Sequence, residues 1–199
     1  MGIFLFAFLP LLSNSNPQIK SYAYGVTSSG YATCPTSGTC SSVTVMMYVQ
    51  TGTVLVIAGS AYTGSVSSSG IADTLSNSFV AVKTDTDAAT QTYLWLSNVT
   101  TGGADSITVS WSGVTYAGVA GIDANNVNQS ASSYTTCSAG GSGNGFCASP
   151  IALKGVSFSY LQSNQGSYCT LPSMGANFTI LFNGLVSNNC FNGGFTQSK

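Results

Sequence analysis

Charge is nearly missing from this chain. Only 5% of its 199 residues are charged: Lys20, Lys83, Lys154 and Lys199, with five Asp, and no Arg, Glu or His. Without histidine there is no Ser-His-Asp or Cys-His relay and no imidazole metal ligand. A net charge of −1 without Arg offers no surface to neutralise phosphates, which excludes nucleic acid as a partner. Helix formers are also scarce: Glu and Arg are absent, Leu is infrequent, and no long stretch repeats apolar residues every 3.6 positions. Long apolar runs are limited to Ile3–Leu12 (IFLFAFLPLL), far short of the ~20 residues that a membrane-spanning helix needs. Intrinsic disorder combines low hydrophobicity with high net charge, and a chain that is 44% hydrophobic at charge −1 has neither.

What the chain does contain is cysteine and the residues of strands. Cys34, Cys40, Cys137, Cys147, Cys169 and Cys190 form no CxxC, so zinc spacing is absent and disulfides account for them better. Six cysteines allow about 15 pairings. Closure between sequence neighbours suggests Cys34–Cys40, Cys137–Cys147 and Cys169–Cys190, each bracketing a turn-rich stretch. Disulfides imply an oxidising compartment, and an extracellular, cell-surface location is expected. The Ile3–Leu12 run agrees with export as a signal-like core, although no basic residue precedes it and no A-x-A follows. Residues 1–12 are therefore either a cleaved signal or a retained apolar segment, and no stable membrane span is expected in the mature chain.

Beyond Pro17 runs of strand character follow one another. Val43, Val45, Met47 and Val49 alternate with Thr44, Met46, Tyr48 and Gln50, while Thr53–Ala58 is continuously apolar, as a strand buried on both faces would be. Ser78–Lys83, Thr92–Ser97, Ile107–Ser112, Tyr116–Ile122, Ile151–Gln162 and Asn177–Val186 continue the series. The expected fold is all-β: a two-sheet, immunoglobulin-like or jelly-roll-like β-sandwich of about eight strands. An apolar segment 1–12 and an extension 13–30 would precede a single domain 31–199. Gly59–Gly70 and Asn125–Pro150 read as long loops.

Within this pattern the stretches TGTVLVIAGS (51–60), SGIADTLSNSFVAVKTDTD (69–87), TYLWLSNVTTGGADSITVSWSG (92–113) and YAGVAGID (116–123) stand out. Together they resemble a β-sandwich module of secreted and cell-surface proteins, with Asp73, Asn77, Trp95, Gly102, Gly103, Asp105 and Trp111 on its pattern. The departure is Leu75-Ser76-Asn77, where the module carries a glycine. With the disulfides, the sequons and the low charge, the whole chain resembles archaeal thread filament subunits, pilin-like β-sandwiches. That resemblance implies assembly head to tail by donor-strand complementation.

Three Asn-x-Ser/Thr sequons begin at Asn98, Asn128 and Asn177, and in an exported protein each is a candidate glycan site. Asn98, at a strand end, and Asn128, in a loop, are better placed than Asn177. Asp73, Asp85, Asp87 and Asp105 are too dispersed for the six to eight oxygens that calcium requires, so the KTDTD run reads as a solvated loop and no metal is expected. Nor does any carboxylate pair stand out for glycoside hydrolysis. Lys83 and Lys154 in strand patterns read as edge lysines that discourage unwanted pairing. Trp95, Trp111 and the tyrosines read as packing rather than as a sugar platform.

A sandwich must manage its open edges, and a neighbouring copy can do so by adding a strand. The expected donor is Ile19, Tyr22, Tyr24 and Val26, or, if the leader is retained, Ile3, Leu5, Ala7 and Leu9. The expected function is a structural subunit of an extracellular filament used in adhesion or cell-cell contact. Its partners would be identical copies in a homopolymer and N-linked glycans, with no cofactor and no catalysis. The alternative is a secreted carbohydrate-binding or adhesive module.

Overall fold

The computed structural model describes residues 25–34, 39–62, 70–87, 90–125, 151–153, 156–163, 178–186 and 189–197. Every element among them is a strand: β1 (Val26–Thr33), β2 (Cys40–Val49), β3 (Val54–Tyr62), β4 (Gly70–Ala72), β5 (Val80–Asp87), β6 (Thr90–Asn98) and β7 (Gly103–Ala124), then β8 (Ile151–Leu153), β9 (Val156–Ser163), β10 (Phe178–Val186) and β11 (Asn189–Gln197). The fold is all-β, in two antiparallel sheets. One holds β1–β7, and the other runs β10-β11-β9-β8.

The alternation in β2 does what period-two patterning requires. Val43, Val45, Met47 and Val49 are buried while Thr44, Met46 and Tyr48 are exposed. β3 is buried along nearly its whole length because it lies between β6 and β7 with packing on both faces. It extends to Tyr62, into the stretch read as loop, because Gly59 lets the strand pass the indole rings. A Cβ at Gly59 would sit 3.1 Å from Trp95 Cζ3 and 3.2 Å from Trp111 Cη2.

β7 organises the first sheet. Residues 103–110 pair with β2 on one side, and 108–110 with β4 on the other. Residues 116–124 pair with β3, and 118–124 with β1. The sequence shows two separate apolar runs here, whereas the structure joins them into one strand that turns from one layer into the other, as corner strands do. The β2 register slips between Cys40 (opposite Thr115) and Ser42 (opposite Ser110), which locates the corner. A Cys34–Cys40 disulfide closes the chain between β1 and β2 at this place, as the sequence-local pairing expects. Cys34 is held there by its N–H to the Ala117 carbonyl at 2.9 Å.

The two layers meet on glycine. Gly30 and Gly121 are cross-strand partners, and Met47 of β2 lies over both. A Cβ on Gly30 would fall 2.8 Å from Met47 Cγ and 2.9 Å from the Met46 carbonyl. The core spreads from this contact through Leu55, Ile57, Ile107, Val109, Val119 and Trp95, all buried. Beyond it Tyr93 stacks on Trp95 with centroids 5.4 Å apart and tilts against Trp111 at 5.9 Å. Offset aromatic contacts of this kind add to simple burial, so both tryptophans are core residues. No helix among the described residues is long and apolar enough to cross a membrane.

Candidate functional site

Two features select the part of the surface where a partner would act: an open strand edge and the groove beside it. The strand order β1-β7-β3-β6-β5 leaves β1 and β5 at the ends. β5 pairs with β6 from Val80 opposite Leu96, then slips between Ala81 and Lys83 so that Val82 has no cross-strand partner. A bulge with a lysine beside it is a recognised way to discourage further pairing. It protects the latter part of β5 and leaves the beginning without such a device. There Val80 is 63% exposed, the most exposed large apolar side chain among the described residues. Ser78, Val80 and Val82 with Leu96, Asn98 and Thr100 line a groove of about 330 Å³.

Asn77 fixes both rims of this groove. Its side-chain oxygen accepts from the N–H groups of Thr100 (2.9 Å) and Thr101 (3.1 Å) and from the Thr100 hydroxyl (3.2 Å). Its Nδ2 donates to Asp73 Oδ2 (2.8 Å) and to the Thr101 carbonyl (3.2 Å), while its backbone N–H donates to Asp73 Oδ1 (2.9 Å). The turn that makes this possible places Ser76 at φ 61°, the left-handed region. At that turn the surface-module pattern carries glycine, which reaches this conformation without a Cβ penalty. Asp105 is tied to the same turn, its Oδ1 accepting the N–H (3.0 Å) and hydroxyl (2.9 Å) of Thr74. Its Oδ2 is buried without a partner. Burial first, and then the neighbouring Asp73 carboxylate, push the Asp105 carboxyl above its ordinary range, against the bonds from Thr74.

A second buried carboxylate gave no signal beyond one Asp closing an apolar strand. Asp123 is fully buried and accepts the hydroxyls of Thr27 and Thr53, each at 2.5 Å, and the Gln50 N–H at 3.0 Å. It joins β1, the β2–β3 turn and β7 at one end of the sandwich. Burial raises its pKa, opposed by those three donors. Among the described residues, no group of three or more Asp, Glu, His or Cys is arranged to hold a metal.

Of the sequons, Asn98 lies exposed at the end of β6; Asn128 and Asn177 are outside the described residues. Asp85 and Asp87 fall within β5 rather than in a loop, because the β5–β6 ladder continues to Asp87 opposite Thr90. Lys83 is on the edge strand, while Lys154 is outside the described residues. Comparison with protein-family models, with curated proteins and with solved structures finds no match.

Cys190 sits in β11 opposite Ser163, and Cys137, Cys147 and Cys169 lie outside the described residues. Ile3, Leu5, Ala7, Leu9, Ile19, Tyr22 and Tyr24 also lie outside them. Val26 is different. It is fully buried and opens β1 opposite Ala124 of its own chain, so it belongs to its own sheet and the boundary 13–30 cuts through β1. Gly25, just ahead, is anchored as well, its N–H donating to Asn125 Oδ1 at 3.1 Å and its carbonyl accepting the Asn125 N–H.

Proposed function

We propose that this chain is a structural subunit of an extracellular, disulfide-stapled filament in which identical copies join by adding a strand from one to the sheet of the next. The observation that carries this reading is the seven-stranded sheet itself, which ends at β1 and β5 with no hydrogen-bonded strand beyond either among the described residues. Strand addition satisfies such an edge through main-chain hydrogen bonds. A head-to-tail contact of this kind propagates into an open fibre when its rotation does not close. The candidate donors upstream of Gly25 are the continuously apolar run with Ile3, Leu5, Ala7 and Leu9 on one face, or the segment with Ile19, Tyr22 and Tyr24. The resemblance to archaeal thread subunits points the same way, towards adhesion or cell-cell contact.

Electron microscopy of protein purified from its own cells tests the reading. Fibres are expected, and removing from the mature exported chain whatever precedes Gly25, with any leader kept for export, spares the Gly25–Asn125 bonds and is expected to leave monomers. Fibres that persist after that deletion exclude the donor assignment, and discrete particles from the intact chain exclude the filament. A carbohydrate-binding module has less support, because Trp95 and Trp111 are 2% and 5% exposed and present no platform.

A further inference from the structure

The groove beside β5 is apolar along its floor, exposed, and bordered by an asparagine that spells a glycosylation acceptor with Val99 and Thr100. We propose that Asn98 carries an N-linked glycan whose first sugars lie in this groove and cover the open beginning of β5. This rests on the reading of the chain as an exported protein, since glycan transfer occurs on that route.

Three observations converge on it. First, Asn98 is exposed and itself lines the groove together with Thr100, so a sugar on its Nδ2 starts inside the site rather than reaching it from outside. Second, the cross-strand register carries the sugar over the apolar strip. Leu96 faces Val80, and Asn98 is two residues further along the same face. A diagonal neighbour of that kind lies about 7–8 Å away, within reach of the first two pyranose rings. Their C–H faces match Val80, Val82 and Leu96, and their hydroxyls match Ser78 and Thr100. Third, this stretch of edge lacks the usual protection. The bulge at Val82 and Lys83 lie downstream, and charge elsewhere is too sparse to keep Val80 from acting as a sticky site.

The covalent step needs a lipid-phosphate-linked oligosaccharide. Asn98 Nδ2 bonds to the anomeric carbon as the sugar–phosphate C–O bond breaks, the phosphate leaves on its lipid with the bonding electron pair, and the proton lost from Nδ2 passes to solvent. In the folded chain the Thr100 hydroxyl is engaged by Asn77, which favours transfer before folding.

The test compares native protein with Asn98→Gln from the same cells. Peptide mass is expected to show sugar on Asn98. The variant is expected to exchange its Val80–Ala81 amide hydrogens several-fold faster and to scatter more light at equal concentration. A second change, Val80→Lys, is expected to return the scattering of Asn98→Gln to the native level. An unmodified Asn98 overturns the proposal, as does a glycan whose loss leaves both exchange and scattering unchanged. Microscopy of the same samples keeps the two readings apart. A shielding glycan without fibres removes only the filament, and fibres with a bare Asn98 remove only the glycan.

Discussion

Replacing Gly121 by Ala probes the closest approach between the two layers. Gly121 adopts an ordinary strand conformation that Ala tolerates, so any cost comes from space. The new Cβ would overlap Ile57 Cδ1 and would lie 3.0 Å from Met47 Sδ and 3.2 Å from the Val56 carbonyl. Ile57 and Met47 are themselves buried, so neither can swing into solvent. Overpacking of this sort costs about 1–3 kcal/mol, and the lower chain entropy of Ala in the unfolded state returns only about 0.4–1 kcal/mol. For a chain of this size the net loss corresponds to a fall in Tm of roughly 2–4 °C per kcal/mol. Ile57→Val removes the offending methyl at a cost of about 0.5–1.5 kcal/mol on its own. In the double variant the two losses should not add, with a favourable coupling of about 1 kcal/mol. Gly30→Ala makes the contrast. Its Cβ meets the Met46 carbonyl at 2.9 Å, so trimming a side chain does not relieve it. Urea unfolding of the four variants with the parent decides the matter. A Gly121→Ala more stable than the parent, or strictly additive effects with Ile57→Val, would refute the close glycine contact.

Three further outcomes are expected. Asp123→Ala strips the acceptor from Thr27, Thr53 and Gln50 at once; those bonds, worth roughly 1.5–3 kcal/mol each, are offset in part by the cost of burying the carboxylate, and the change should cost about 3 kcal/mol in urea unfolding. Stability should hold or rise as the pH falls from 7 towards 4. Asp105 and Asp123 have raised native pKa values, so the native state binds more protons than the unfolded state between the ordinary carboxylate pKa and the raised one, and their contribution is lost as pH climbs through that window. Thermal melts across the range read this directly, and a steep fall in Tm on acidification contradicts it. Converting Cys34 and Cys40 together to Ser opens a loop of sequence separation 6 and should cost about 2 kcal/mol, read as a lower Tm than the parent's under the same non-reducing conditions.

The strands whose burial alternates were legible in the sequence, and those shaped by their neighbours were not. β2 shows its inward face residue by residue, and β3 shows two-sided burial as an unbroken apolar run. β1 (VTSSGYAT) and β11 (NCFNGGFTQ) carry no such signal. β1 is held by pairing with β7 and by the Gly30 contact, and β11 by pairing with β9 and β10. β7 read as two strands because Gly113–Thr115 interrupts its apolar pattern, at the point where it changes layer. At the site, the sequon at Asn98 is a local motif and visible at once. The groove is not, because it exists only when the β5–β6 register sets Val80 opposite Leu96 and the bulge frees Val82. Asn77 was placed by the resemblance, but its role as a clasp between two turns depends on contacts with Thr100 and Thr101, 23 and 24 positions away.

The position of β7 in the chain has a consequence for how the protein comes into being. Its hydrogen-bonded partners in both layers, β1, β2, β3 and β4, all precede it. During synthesis or export, therefore, β1, β2 and β4 have no strand to pair with, and β3 pairs only with β6, until the stretch ending at Ala124 has emerged and both layers close around one latecomer. A nascent chain halted shortly before that point should remain sensitive to protease, and one released a few residues after it should become resistant in a single step.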